Sequence, residues 1–415
     1  MSERVEAYLV KNKSVSHDVI ADIWQKLEQL YFRKLWHQLT VELRKVISND
    51  AFIQTIDLKE FYDNFINEFE HRINPLQLVE IVIPVAKSIF VKNRDAAFAF
   101  LNKIERTISK EKQAVVRVRT GQIELRLMHK DSKDRCVDIQ KMIEETQILL
   151  DELPGVTPVH GPFYKVSSIY LKEIGNYAGY YREALRYLGC EDQAKLPQSE
   201  KQLQAVLLGF AALLGDNVYN FGELVKFLFP MNFHFILQIL EALLIHDGIN
   251  FGFLAHPILK SLEGTREKWI IDVLYAFNAG DLNKFNEYRP QWAEWDDLKD
   301  HQDLLEDKIR LLSLMEIALA RPSKERYISF KEIAEKAQID LNRVEALVMR
   351  ALSKGLVQGS IDQVEELVNI TWVQPRVLSP QQILAMSDRI GAWCAEVEGM
   401  ETIVRNNARE ILTKT

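Results

Sequence analysis

Along most of this chain apolar residues return every three or four positions, the spacing of one face of an α-helix. Ile20, Ile23, Trp24, Leu27 and Leu30 mark one such face, and Leu35, Trp36, Leu39, Leu43 and Val46 mark the next. Helix pairs are then predicted over 76–91 with 95–108, 113–129 with 135–152, and 163–175 with 178–189. Between the last two pairs Pro154, Pro158 and Pro162 forbid one continuous helix. Further helices are predicted over 269–278, 282–288 and 301–320, with Gly280 as a left-handed C-terminal residue and Asp281 as the following N-cap.

The period changes after Pro322. Tyr327, Ile328, Ser329 and Phe330 suit a short strand, and Ser329 with Glu332 forms a capping box for a helix carrying Ile333, Ala334 and Ala337. A second helix, capped by Asp340, carries Val344, Leu347, Val348, Ala351 and Leu352 and stops at Gly355. Two strands follow, 356–360 and 367–373, the latter with Val368, Ile370 and Trp372 alternating onto one side. Strand, helix, helix, strand, strand is a winged helix.

The chain then closes on an uninterrupted heptad seam: Ile383, Met386, Ile390, Trp393, Val397, Met400, Val404, Asn407 and Ile411. Ser379 as N-cap, Pro380 at the first helical position and Gln382 mark its start. A helix of this length spans about 45 Å, more than a compact winged helix can cover, so the seam is expected to pack on other chains. The alternative is that it folds back onto its own solenoid. The predicted fold is mostly α: a right-handed, tetratricopeptide-like helical-repeat solenoid over 1–320, a winged helix over 321–378 and a C-terminal helix over 379–415. The turn Gly175-Asn176-Tyr177, leading into Tyr181, Ala184, Leu185 and Leu188, resembles the entry to the second helix of such a unit.

Composition narrows the function. The 415 residues are 47% hydrophobic and 27% charged, and 52 basic against 59 acidic side chains give no reason to expect a nucleic-acid or membrane binder. Between Ser323 and Leu378 eight basic residues face eight acidic ones, which leaves no phosphate-binding stripe, although Arg343 and Arg350 are placed to reach a groove. The dispersed Cys136, Cys190 and Cys394 read as reduced thiols, and the charged opening MSERVEAYLVKNK is no signal peptide; both suggest an intracellular protein. No nucleotide-binding, zinc-protease or nucleophile-elbow motif occurs, and His160 and His246 lack a partner at a catalytic spacing. No enzyme activity, cofactor or metal is expected. Trp36, Trp269, Trp292 and Trp295 read as packing residues, and Glu294, Asp296, Asp297 and Asp300 as a solvated face.

Solenoid, winged helix and terminal helix is also the order of elements in PCI-domain proteins, the family shared by the proteasome lid, the signalosome and a translation initiation complex. The segments FEHRINPLQLVEI (69–81), LPGVTPVH (153–160), YYREALRYLGC (180–190), LYAFNAGD (274–281), VEALVMRALSKGLVQGSIDQV (344–364) and TWVQPRVL (371–378) resemble the lid members of this family. The resemblance implies a non-catalytic scaffold of the 26S proteasome regulatory-particle lid, supporting lid assembly and ubiquitin-dependent degradation in cytoplasm and nucleus. Its partners would be other PCI-type lid subunits, joined at the winged-helix edge and in a bundle of terminal helices. Carried onto this chain, the edge contributes Tyr327, Ile328, Phe330, Val368, Ile370 and Trp372. The bundle takes Ile383, Met386, Ile390, Trp393, Val397, Met400, Val404 and Ile411. The H-x-H…S-x-x-D zinc signature of the lid deubiquitinase is absent, so that activity does not carry over. One departure stands out. In the family, FGEL runs almost directly into an AHP-containing helix, whereas here an apolar segment, 225–253, separates the two. It splits the motif cleanly and begins with a valine, whose codons start GT, so it is expected to be a retained intron or splice variant. It holds no 18-residue span free of charge, which argues against a membrane helix.

Overall fold

The computed structural model describes residues 3–15, 18–47, 49, 52, 56–128, 134–191, 196–219, 257–321, 325–374 and 380–407. The segment 225–253 lies outside them. The chain forms two compact units, Met1–Asp192 and Gln193–Thr415.

The first unit has, among its described residues, only helices as regular elements. It opens with α1 (Glu3–Val15), α2 (Asp18–Phe32), α3 (Trp36–Ile47) and α4 (Leu58–Asn64), then two short 3₁₀ turns. Three hairpins follow: α5 (Pro75–Lys92) with α6 (Arg94–Thr107), α7 (Lys112–Leu127) with α8 (Asp134–Asp151), and α9 (His160–Ile174) with α10 (Tyr177–Cys190). The first helix of each hairpin also packs on the first helix of the next, so α5 meets α7 and α7 meets α9. Each hairpin thereby covers the apolar face its neighbour cannot bury alone. The caps are written in the sequence. Asn74 Oδ1 accepts from the N–H groups of Leu76 (3.0 Å) and Gln77, with Pro75 at the first helical position. Asn93 ends α5 and caps α6 through Ala96 N–H at 3.2 Å. Asn176 caps α10 through Gly179 N–H at 2.9 Å. One boundary differs from the sequence reading. α9 begins at His160 rather than 163, because Pro162 falls in the first turn, where its missing N–H has no helical partner to lose. His160 is a buried, hydrogen-bonded residue whose Nδ1 accepts from Thr157 N–H at 3.1 Å.

The core of α1–α4 is aromatic. Trp24 packs against Phe52 and Phe61 at 5.6 Å each, and Phe61, Phe65 and Phe69 continue at 5.5 and 5.2 Å. Such rings bury large apolar areas with defined offset or edge-on geometry.

The second unit starts with α11 (Gln198–Leu214), α12 (Pro257–Lys260), α13 (Lys268–Ala279), α14 (Leu282–Glu287), α15 (Arg289–Trp292) and α16 (Asp296–Lys299). The long α17 (Gln302–Leu319) packs on α11, α13 and α14, and also on the winged helix. Gly280 sets the α13–α14 turn. Its φ of +63° is left-handed, and a Cβ there would sit 2.6 Å from the Cα of Ser313, so only glycine lets this turn lie on α17. Asp281 then caps α14 through the N–H of Asn283 at 3.0 Å. Lys308 of α17 is buried and donates to the carbonyls of Ala212, Leu213 and Gly215 at 2.7–2.9 Å, closing the C-terminal end of α11.

The winged helix comprises β1 (Tyr327–Ser329), α18 (Phe330–Ala337), α19 (Leu341–Ser353), β2 (Val357–Asp362) and β3 (Leu367–Val373). Half of the anticipated capping box forms: Ser329 Oγ accepts from Glu332 N–H, while the Glu332 carboxylate turns to Arg321. Asp340 occupies the N-cap position of α19 without a side-chain cap bond. The last element is α20 (Pro380–Asn407). Among the described residues, no helix is long and apolar enough to cross a membrane.

Candidate partner-binding surface

Two structures in the second unit were expected to carry partner contacts: the winged-helix sheet and α20. The sheet order is β1-β3-β2, all antiparallel. This corrects the expectation that β3 lies on the edge beside β1. β3 is the central strand, paired on both sides, and the free edges belong to β1 and β2. An edge strand offers a row of unpaired N–H and C=O groups, which is what another strand could extend.

The side chains sort in the same way. Ile328, Phe330, Val368 and Ile370 are buried, as are Ile333, Val344 and Leu347 of the winged helix's own helices. They hold the sheet together and present no face to a partner, which corrects their assignment as contact residues. Tyr327 and Trp372 are exposed, Trp372 by 40%.

Trp372 points outward for a reason the alternation concealed. The register pairs Gln358 with Trp372 but Gly359 with Ile370, leaving Thr371 as an extra residue on β3. This bulge shifts the alternation by one, so Val373 turns inward and Trp372 turns out. A Cβ on Gly359 would run into the Asn369 carbonyl, and Thr371 Oγ1 bonds the Gln358 carbonyl at 3.1 Å. The sequence signal was present: a glycine inside a strand, Gly359.

α20 is the more exposed element. Every residue from 388 to 405 is solvent-exposed, including Ile390, Trp393 (65%), Val397, Met400 (71%) and Val404. Ile403, which the heptad reading passed over, is exposed beside them. Ile383 and Met386 fall within the same helix, whereas Ser379 and Ile411 lie outside the described residues. The polar face carries an ion pair of its own, Arg405 to Glu401 at 2.7 Å.

The two arginines considered for a nucleic-acid groove separate. Arg343 is exposed, whereas Arg350 is tied to Asp307 of α17 at 2.5 Å and fastens α19 to the rest of the unit. Among the described residues no group of His, Cys, Asp and Glu is placed to hold a metal ion. The three cysteines are free.

Comparison with known proteins matches residues 23–229 to the PSD13 N-terminal repeats and 285–372 to the PCI domain. The chain is 32% identical to the 26S proteasome non-ATPase regulatory subunit 13 of Dictyostelium discoideum, over 98% of both chains. It is 33% identical to homolog A of that subunit in Arabidopsis thaliana, over 92% of both. The chain belongs to the 26S proteasome non-ATPase regulatory subunit 13 family. The regulatory subunit RPN9 of Saccharomyces cerevisiae is also similar, at 30% identity over 91% of this chain and 90% of the relative. A translation initiation factor 3 subunit M from Phaeosphaeria nodorum is 26% identical over 42% of this chain. Within the subunit 13 family, the PCI match begins inside α14 and ends at Trp372, so α17 belongs to it and α20 lies beyond it.

Proposed function

We propose that this chain is a non-catalytic structural subunit of the 26S proteasome regulatory-particle lid, joined to neighbouring PCI-type lid subunits through α20 and the free edge of its winged-helix sheet. Its work in ubiquitin-dependent degradation is architectural, in the cytoplasm and nucleus where such a particle acts. The observation that carries this reading is the exposed stretch 388–405, where a heptad seam of Ile390, Trp393, Val397, Met400 and Val404 stands in solvent. A stripe of that length and regularity is stabilised by burial against other helices. The relatives are named as non-ATPase regulatory subunits, which supports a role without catalysis.

The test is to express tagged full-length chain beside a version ending at Leu378 and to quantify co-purifying proteins by mass spectrometry. Stoichiometric lid and ATPase-ring subunits with the full chain, falling sharply on truncation, are the expected result. Recovery of signalosome or translation-initiation subunits instead would assign the chain to a different PCI assembly. If the full chain comes down alone, a version lacking 225–253 separates a disabling insertion from a wrong reading of the partners.

A further inference from the structure

Trp295 breaks the expectation that the tryptophans of this region are packing residues. Trp269 and Trp292 are buried, but Trp295 is 38% exposed, at the N-cap of α16. It does not swing freely. Phe210 of α11 meets it edge-on with centroids 5.0 Å apart, and Phe210 in turn lies 6.2 Å from Trp269. The indole is therefore a fixed wall. It lines a notch of about 530 Å³ with Trp269, Arg266, Glu267, Gln291 and Glu294. The lining thus holds two carboxylates, Glu267 and Glu294, against the single cation Arg266.

We propose that this notch is a recognition site for one basic side chain, a lysine or arginine, projecting from a neighbouring protein. A cation over an indole face is drawn by the ring's negative quadrupole, and tryptophan gives the strongest such attraction among the aromatic residues. Glu267 and Glu294 at the lip complement the same charge and offer acceptors for its N–H groups. The apolar stem of lysine or arginine suits the tryptophan-lined wall, leaving the charged head at the carboxylates. An uncharged apolar side chain would fit the wall but would strip water from both carboxylates without replacing it. Arg266 is the one cation lining the notch, so it opposes an incoming positive group. The site depends neither on α20 nor on the lid assignment, and it stands or falls separately from them.

The experiment uses the full chain labelled with ¹⁵N at its tryptophan indoles. The Trp295 resonance is assigned with Trp295→Phe, which keeps an aromatic ring against Phe210. Capped pentaglycine-type peptides carrying a central arginine, lysine or norleucine are titrated in. The expected result is a saturable shift of the Trp295 signal in the millimolar range with arginine and lysine, at least about fivefold weaker with norleucine. Glu267→Gln with Glu294→Gln should weaken binding of the basic peptides about threefold or more, and Arg266→Ala should tighten it. Arg266 and Glu294 are exposed, whereas Glu267 is half-buried at the N-cap of α13, so thermal unfolding of each variant, unchanged from wild type, establishes that the effects report on charge. Equal binding of norleucine, indifference to the glutamine substitutions, or no saturable shift with any peptide up to about 20 mM overturns the proposal.

Discussion

α17 and α20 are both long helices of the second unit, and their apolar residues have opposite fates. In α17 five consecutive residues, Leu311, Leu312, Ser313, Leu314 and Met315, are buried, with Leu305, Lys308, Ile309, Ile317 and Ala318. In α20 nothing between 388 and 405 is buried. The difference lies in the pattern. From Leu311 onward α17 is apolar around most of its circumference, as suits a helix inside a core, and it packs on α11, α13, α14 and the winged helix. Asp303, Glu306, Asp307 and Arg310 keep one side of its N-terminal half polar. A helix with strict three-and-four spacing has a single narrow seam, and only another helix matches it. Circumference goes with an internal spine, and the seam, under the proposed function, serves assembly.

The sharpest way to test that contrast is to remove volume from the spine. Leu312→Ala should cost about 2–5 kcal/mol, since Leu312 is fully buried and helices press on α17 from several sides. Urea unfolding of the isolated chain measures it, and a loss below about 1 kcal/mol would mean that α17 is not central to the unit. Next in size is the turn that lets α13 and α14 close on that spine. Gly280→Ala places a Cβ against the Ser313 backbone at a φ of +63°, and the expected loss is about 1–3 kcal/mol by the same measurement.

How much of this was readable beforehand follows the range of the interactions involved. Caps and left-handed stops at Asn176, Gly175, Gly280 and Asp281 depend on a few neighbouring residues, and their chemistry stands in the sequence. The seam of α20 is equally local, a matter of counting threes and fours. The sheet was less legible, because strand order and register are set by partners far along the chain. The central place of β3 and the bulge at Thr371 decide which aromatic faces water, and alternation along a single strand records neither. Lys308 was missed for a related reason. A lysine on a helix reads as surface, and only the approach of the α11 end at Ala212, Leu213 and Gly215 makes it a buried cap.

That lysine yields a smaller, pH-dependent effect. Burial lowers the Lys308 ammonium from its ordinary 10.5 to about 7, with Lys354 adding to the shift and Asp216 opposing it. Between about pH 7 and 10.5 the unfolded chain therefore holds a proton on this group that the folded chain has released. Stability contributed by this group rises with pH across that window, by at most about 1.4 kcal/mol per pH unit, and is level below it. Lys308→Met removes the titration whatever it does to stability at one pH. The difference in unfolding free energy between wild type and variant, followed from pH 6 to 9, should therefore grow in favour of wild type above pH 7. A flat difference would place the folded-state ammonium at its ordinary value.

The smallest effect on the isolated chain should come from the residues that look most hydrophobic. Trp393→Glu and Val397→Glu put charge onto a seam already in water, so the chain alone should lose no more than about 0.5 kcal/mol. In Leu312 the same substitution would bury an unpaired carboxylate and unfold the unit. Yet in the assembled state the ranking should invert, because a carboxylate within a helical seam is then desolvated against a partner's apolar side chains. Co-purification of lid subunits is the readout, and recovery more than about tenfold below wild type is expected for the double variant. If unfolding measurements instead show Trp393→Glu to be as damaging to the lone chain as Leu312→Ala, the seam is buried within the chain itself. α20 would then be a second spine, and the contrast with α17 would disappear.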